Sequence, residues 1–343
     1  MARKTISVIV PVHNEEAVLP TLFRRLTDVL DRLAPTYDGN VFLIDDGSRD
    51  RSWELITAQA RHDPRYRGIR LSRNFGHQAA ISCGYELVPG DALVTIDADL
   101  QDPPEVILDL VRSWEAGHKV VLAARRKREG ETWFKLLTAR LFYQLLHRIA
   151  ESDAPEGVGD FRLLDRQAVD ALRQFPETHR YVRGLVGWLG FHRGIVEYDR
   201  EPRAAGETKY PLWKMLRLAA DAIISLSFVP LRVAYVLAIL CTIPFLGYLA
   251  YNLILQFYFH EPMVRGWPSL ILATIIFGSV NLLMFGILGE YVGRIYAEVK
   301  HRPLFIIDEV AGQAPPLSPP FPAQAAGVRS HSEAPQNHLS SPP

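Results

Sequence analysis

Only two of the 343 residues are cysteine, Cys83 and Cys241. That excludes a disulfide framework and a multi-cysteine zinc site, and a reducing compartment is the expected environment. An excess of charge of one sign is missing too. The 38 basic residues balance 38 acidic ones, which argues against a broad nucleic-acid-binding face. No GxGxxG and no GxxxxGK[ST] occurs, so the usual dinucleotide and phosphate-loop fingerprints are absent. The N-terminus lacks the pattern of a secretory signal, because Met1-Ala2-Arg3-Lys4 leads directly into a strand-like run.

What the chain does have is two long stretches without charge, residues 233–255 and 269–288. Each approaches the ~20 residues that cross a bilayer as a helix. Pro244 is tolerable inside such a helix. The short link between them carries Arg265 and Trp267, whereas Lys209, Lys214, Arg217 and Arg232 precede the pair and Arg294, Lys300 and Arg302 follow it. By the positive-inside rule this predicts a membrane hairpin with both termini in the cytoplasm. Two stretches, 132–149 and 212–228, read as amphipathic helices with basic residues on the polar side. They fit either a core-facing helix or one lying in the headgroup plane. Beyond residue 311 the chain is rich in Pro, Ala, Ser and Gln and is expected to be a disordered tail.

Residues 1–125 alternate strand and helix signals. The run Thr5-Ile6-Ser7-Val8-Ile9-Val10 is β-branched at every position but Ser7, as a strand covered on both faces should be. Further strands are expected at 41–44, 68–71, 92–96 and 119–123, with helices at 15–33, 51–60, 77–87 and after Pro104. This βα alternation predicts an α/β fold with a mainly parallel sheet, and ligands of such sheets bind beyond the carboxyl ends of the strands.

Polar clusters fall at those ends. The strand Leu93-Val94-Thr95-Ile96 delivers Asp97 and Asp99, separated by one residue, to its terminus. Extended geometry sends both side chains to the same side. Like charges that close repel unless a cation lies between them, and hard oxygens with the neighbouring amide of Gln101 suit Mg²⁺ or Mn²⁺ bridging to a diphosphate. Asp102, before Pro103-Pro104, reads as a helix cap. Pro11-Val12-His13-Asn14-Glu15 follows the first strand and Asp45-Asp46-Gly47-Ser48 the second, where Asn14 and Ser48 could serve as caps. Arg125, opening a basic run after the fifth strand, is placed to clamp a phosphate. Gly159-Asp160-Phe161-Arg162 reads as a loop in which Asp160 faces a substrate or pairs with Arg162. The segment from Arg203 to Tyr210 reads either as a flexible linker or as a place where Arg203 and Lys209 receive phosphates at the bilayer surface.

Taken together, PVHNEE, DDGSRD, RNFGHQ, DADLQDPPE, GDFRLLDR and RAAGETKYP, followed by two apolar spans, resemble the polyprenyl-phosphate glycosyltransferases of glycosyltransferase family 2. The likeness runs from about residue 5 to 305 and is strongest to the bactoprenol glucosyltransferase branch. It implies a GT-A (Rossmann-like) catalytic domain over 1–210, an amphipathic interface helix over 211–230, two transmembrane helices within 231–292, a juxtamembrane segment over 293–310 and the tail 311–343. It implies metal-dependent, inverting transfer of a sugar, with UDP-glucose the best guess, from a nucleotide sugar to a polyprenyl phosphate such as undecaprenyl phosphate. By motif position, Pro11, His13, Glu15 and Asp46 contact the nucleoside. Asp97, Ala98 and Arg125 line the nucleotide sugar, and Asp97, Asp99 and Gln101 hold the metal. Asp160 joins the catalytic group, while Lys135, Arg203 and Lys209 grip the acceptor phosphate. Many relatives carry Tyr where this chain has His13. The implied setting is a bacterial inner membrane with a multi-pass chain and a homo-oligomer, a tetramer in this branch. A flippase and a downstream glycosyltransferase are the other partners it suggests. A processive polysaccharide synthase would need more spans and a QxxRW motif, which Arg183-Gly184-Leu185-Val186-Gly187-Trp188 does not supply. A non-catalytic nucleotide-sugar-binding scaffold would have no use for the Asp97/Asp99/Gln101 set.

Overall fold

The computed structural model describes residues 3–126, 158–177, 180, 182–201 and 267–312, with single helical residues scattered between 236 and 258. These fall into two compact units, one built on a sheet and one containing a long helix.

The sheet unit grows from β1 (Lys4–Val12), β2 (Tyr37–Asp45), β3 (Tyr66–Leu71), β4 (Ala92–Thr95), β5 (Val120–Arg125), β6 (Val158–Asp165), β7 (Arg193–Tyr198) and β8 (Ile307–Ala311). They form one eight-stranded sheet in the order β7-β5-β6-β4-β1-β2-β3-β8. Pairing is parallel for β1 with β2 and β4, β2 with β3, and β5 with β7. It is antiparallel where β6 inserts between β4 and β5, and where β8 closes the far edge against β3.

Period-2 geometry distributes the β1 side chains to two cores. Ile6, Val8, Val10 and Val12 enter one with Leu22 and Leu26 of α1 (Leu19–Leu33), Ile56 of α2 (Ser52–His62) and Leu110 of α4 (Ile107–Glu115). Ile9 enters the other with Ile81 of α3 (His77–Leu87), Val169 of α5 (Arg166–Arg173) and Leu185 of α6 (Val182–Trp188). The helix α3 sits so close to β1 that a Cβ on Gly84 would meet Ile9 Cγ2 at 2.4 Å. This is the GT-A arrangement, a Rossmann-like α/β fold with a mixed sheet.

The strands foreseen from the β-branched runs are present. Three others are not among those expected: β6 occupies the stretch read as a loop around Asp160, while β7 and β8 carried no expectation of a strand. The helix expected from residue 15 begins at Leu19, since the backbone amides of Glu15 and Glu16 bond instead to Ser52 Oγ and Asp50 Oδ2 in the neighbouring loop.

In the second unit, α7 (Trp267–Val299) is a single helix, of which Ala273–Val299 is long and apolar enough to cross a membrane. Most of its described large apolar residues, among them Leu282, Phe285 and Tyr296, are exposed. Among the described residues it is the one helix of that kind. The earlier span expected at 233–255 and the basic helices at 132–149 and 212–228 lie mostly or wholly outside the described residues.

Candidate functional site

Parallel pairing brings the carboxyl ends of β1, β2 and β4 to one edge: Val12 aligns with Asp45, and Ile9 with Thr95 just before Asp97. Because β6 runs the opposite way, its first residues reach the same edge, with Arg162 opposite Thr95 and Asp160 beyond it. The ends of β5 and β7 join them through the pairing of Arg125 with Tyr198. Five strand ends thus deliver Pro11, His13, Asp46, Asp97, Asp99, Arg125 and Asp160 to a common rim, and β7 adds Tyr198.

At the β1/β2 corner, Asn14 adopts a left-handed backbone (φ 57°) and laces the two loops together. Its N–H donates to Ser48 Oγ at 3.0 Å, and its side-chain oxygen accepts from the Arg49 N–H at 2.8 Å. Neither residue caps a helix: the cap positions of α1 and α2 are held by Val18 and Arg51 without a side-chain cap bond, because Asn14 and Ser48 spend their polar groups on each other's loop. His13 places Nδ1 3.0 Å from the Asp46 carbonyl and Nε2 3.1 Å from Asn14 Nδ2 and from Asn74 Nδ2. A proton on Nδ1 lets that nitrogen donate to the Asp46 carbonyl and leaves the one lone pair of Nε2 to be shared between the two amides. The buried Asp46 carboxylate accepts the Phe75 N–H at 2.7 Å and the Gly76 N–H at 2.9 Å, which fixes the RNFGHQ loop against the end of β2. Gly47 (φ 64°) makes that fit possible, since a Cβ there would lie 2.5 Å from the Arg73 backbone. Pro11 is buried at the end of β1, and the Glu15 N–H donates to Ser52 Oγ at 2.9 Å.

The β4/β6 corner holds the strongest electrostatics. Asp160 is fully buried and is bound by Arg183 through Nε at 3.0 Å and Nη2 at 2.7 Å, and by the equally buried Arg162. His77, the first residue of α3, sets Nε2 3.4 Å from Asp160 Oδ2 and 3.4 Å from Asp97 Oδ1. Burial alone would raise the Asp160 carboxyl; hydrogen bonds from His77 and Arg183 and the charges of both arginines outweigh it and hold that group well below the usual carboxylate range. Asp97 differs. Burial pushes it up to about 6, His77 opposes the rise, and Asp160, Asp102 and Asp99 add to it. Its Oδ1 is buried without a hydrogen-bond partner. His77 itself is raised, since Asp160 and Asp97 overcome the effect of its burial. Ala98 is buried in the core between the two carboxylates, and Asp99 Oδ1 accepts the Gln101 N–H at 3.1 Å across Leu100, itself at φ 58°.

Asp102 does not cap the turn that follows it. Pro103 occupies the cap position of the 3-10 turn Pro104–Val106, and no side-chain cap bond forms. The buried Asp102 carboxylate instead accepts the Tyr198 hydroxyl at 2.5 Å, with Arg125 Nη2 at 3.5 Å. Arg125 also donates through Nε to Tyr198 Oη at 3.2 Å and keeps about a third of its side chain exposed at the rim. A polar partner inside the sheet was available, so the carboxylate turned inward.

Lys135, Arg203 and Lys209 lie outside the described residues. Among the described residues no group of three or more His, Cys, Asp or Glu side chains is gathered as a metal site. His77 and Arg183 belong to the site although neither stands among the residues assigned from the sequence. The sole signal for His77 was its place in RNFGHQ at the start of a helix beyond a strand end, where an anionic ligand is favoured, and Arg183 carried none.

Comparison with known proteins adds to this geometry. Residues 7–173 match the family described as glycosyl transferase family 2. The chain is similar to the uncharacterized glycosyltransferase YkcC of Bacillus subtilis, 45% identical over 306 residues that cover 89% of this chain and 94% of that protein. It is also similar to the bactoprenol glucosyl transferase of Shigella phage SfV, 41% identical over 88% of this chain and 97% of that protein. Among solved structures, the glucosyl-3-phosphoglycerate synthase of Mycobacterium tuberculosis in complex with uridine diphosphate shares 20% identity, with a TM-score of 0.43, and covers 65% of this chain and 79% of that one.

Proposed function

The chain belongs to glycosyl transferase family 2 and is a glycosyltransferase, and from that footing we propose that it moves glucose from UDP-glucose to a polyprenyl phosphate at the cytoplasmic face of a membrane. The observation that carries this reading is the rim itself: carboxylates from three strand ends converge with His77, Arg125 and Arg183 on one edge of the sheet, in a chain with an exposed apolar helix. Relatives named as bactoprenol glucosyl transferases support the acceptor class.

In this reading Pro11, His13, Glu15 and Asp46 form the nucleoside side of the site. Asp97, Ala98 and Arg125 line the sugar diphosphate. The acceptor phosphate is already anionic at neutral pH and needs no strong base. One of its oxygens attacks the anomeric carbon, the bond from that carbon to the donor diphosphate breaks, and the nucleoside diphosphate departs with the electron pair, leaving the sugar inverted. The protein's part is alignment and charge. Asp160, tied up by two arginines and His77, is a poor proton acceptor and serves to anchor that corner.

The residues fit a divalent cation in one respect. Asp97 Oδ1 is buried with no hydrogen bond and only the His77 ring at 3.4 Å, in a carboxyl that burial disfavours as an anion, and Asp99 adds a second hard oxygen beside it. We assign Asp97 and Asp99, with Gln101, to hold Mg²⁺ or Mn²⁺ together with the donor; the cation, when bound, supplies charge compensation to the leaving diphosphate. Arg203, Lys209 and Lys135 are assigned to the acceptor phosphate, and a second span at 233–255 to the membrane anchor, on sequence grounds. The purified full chain in detergent with Mg²⁺ or Mn²⁺ should move label from UDP-[¹⁴C]glucose into undecaprenyl phosphate. Label that stays water-soluble with every polyprenyl phosphate offered would overturn the acceptor assignment.

A further inference from the structure

We infer that Arg25 of α1 is a positioning residue that fixes the Asp97–Gln101 loop by tying it to the exit of β7. The inference rests on the assignment of that loop to the donor diphosphate. Arg25 makes four side-chain bonds to two carboxylates. Nε and Nη2 donate to the two oxygens of Glu105 at 2.9 and 2.5 Å, while Nη1 and Nη2 donate to those of Glu201 at 2.9 Å each. Glu201 closes the ring from its backbone, with its N–H donating to the Gln101 carbonyl at 3.0 Å.

The two carboxylates come from opposite sides of the loop. Glu105 lies in the turn that follows it, and Glu201 comes three residues after Tyr198, whose hydroxyl holds Asp102. A guanidinium can make two such forks at once because its donors are planar and fixed, whereas an ammonium is a point charge on a flexible stem. The Arg25 side chain is about a fifth exposed, so the pairs are only partly screened. With the clamp in place, the Gln101 backbone is held on both sides: its N–H is on Asp99 and its carbonyl is on Glu201. Without it, the segment that presents Asp99 loses the side-chain tie between its two flanks, while the Asp102 bonds to Tyr198 and Arg125 remain.

The test compares wild type, Arg25→Lys, Arg25→Gln and Glu201→Gln, each as the full chain in detergent. Amide hydrogen exchange over residues 97–105 is read without substrate, and Mn²⁺ affinity is read by electron paramagnetic resonance in the presence of UDP. Turnover is measured where wild type turns over. The expected result is faster exchange confined to that loop and weaker Mn²⁺ binding in Arg25→Lys. The kcat should fall about 10- to 100-fold with the donor KM little changed, as displacement of a catalytic group by an ångström implies. Glu201→Gln, which leaves the Glu105 fork, should show a smaller effect of the same kind. Should Arg25→Gln fail to fold, the charge-conserving Lys variant still decides. Exchange over 97–105 equal to wild type in Arg25→Lys would overturn the inference, as would faster exchange with unchanged kcat. A wild type that makes no lipid-linked product would defeat the acceptor reading instead, and the exchange and Mn²⁺ data would still settle the role of Arg25.

Discussion

Asp160→Asn separates a carboxylate that acts in the chemistry from one that holds the site together. Asp160 and Arg162 are each 1% exposed, and Arg183 and His77 share the same carboxylate. An asparagine keeps the shape but removes the charge, and turns an NH₂ group toward a ring of donors. Arg162 is then a buried cation without its counter-ion. Breaking a buried pair on one side costs about 3–5 kcal/mol. In a domain of this size that is an apparent Tm lowered by roughly 10 °C. The sign with pH follows from the depressed Asp160 carboxyl. Its contribution is complete above about pH 4, the unfolded value, and is lost only as pH falls further toward the folded one. Thermal unfolding of the full chain in detergent, followed by intrinsic fluorescence from pH 8 to pH 3.5, should therefore show a wild-type-to-variant gap that is flat above pH 5 and narrows below pH 4. An Asp160→Asn enzyme that melts within 2 °C of wild type yet has lost turnover would refute the reasoning and make Asp160 a participant in the reaction.

The same substitution at Asp97 should act in the opposite direction. With the carboxyl pushed up to about 6, metal-free wild type loses stability as pH rises from about 4 to 6, so in EDTA at pH 7.5 Asp97→Asn should raise the apparent Tm, with up to about 3 kcal/mol at stake, while turnover disappears; equal melting temperatures at pH 7.5 would contradict this. Asp99→Ala should weaken Mn²⁺ binding and reduce kcat at least about 100-fold, and unchanged Mn²⁺ dependence would remove Asp99 from the metal site. Gly47→Ala combines a left-handed backbone with a backbone clash at 2.5 Å and should cost more than about 2 kcal/mol and weaken UDP binding measured by calorimetry. Ending the chain at Arg302 removes β8 and the buried Phe305, and should lower the melting temperature of the sheet unit; an unaltered melt would show that the edge strand is dispensable.

How far the fold was legible follows from where the apolar residues sit. The carboxyl-terminal parts of β1 and β2 and the whole of β4 are mainly apolar and buried, and α1 carries a clean helical stripe, so their existence could be read from the pattern. The pattern fails at β6, because Asp160 and Arg162 point into the protein and neutralise each other there; in the sequence they look like a polar loop. The edge strands β7 and β8 are short and mix charged residues with apolar ones, so nothing in them outweighs a turn. The site was legible to the extent that it is local: Asp97, Asp99 and Asp46 announce themselves beside strand ends. Its second half is not local. His77 meets Asp160 across 83 residues of chain and Arg183 meets it from a third element, a juxtaposition set by strand order alone. Asp102 shows the limit of propensity: it stands where a cap is favoured, and a buried tyrosine hydroxyl took it instead.

The central claim is that this rim couples a nucleotide sugar to a lipid phosphate. It is tested most directly by the identity and anomeric configuration of the lipid product formed by the purified full chain from UDP-glucose and undecaprenyl phosphate. Mass spectrometry should find undecaprenyl phosphate enlarged by one hexose, and proton NMR should find the β configuration, inverted from the α-linked donor. A product retaining the α configuration, or glucose released to water while the lipid phosphate stays unmodified, would contradict the account.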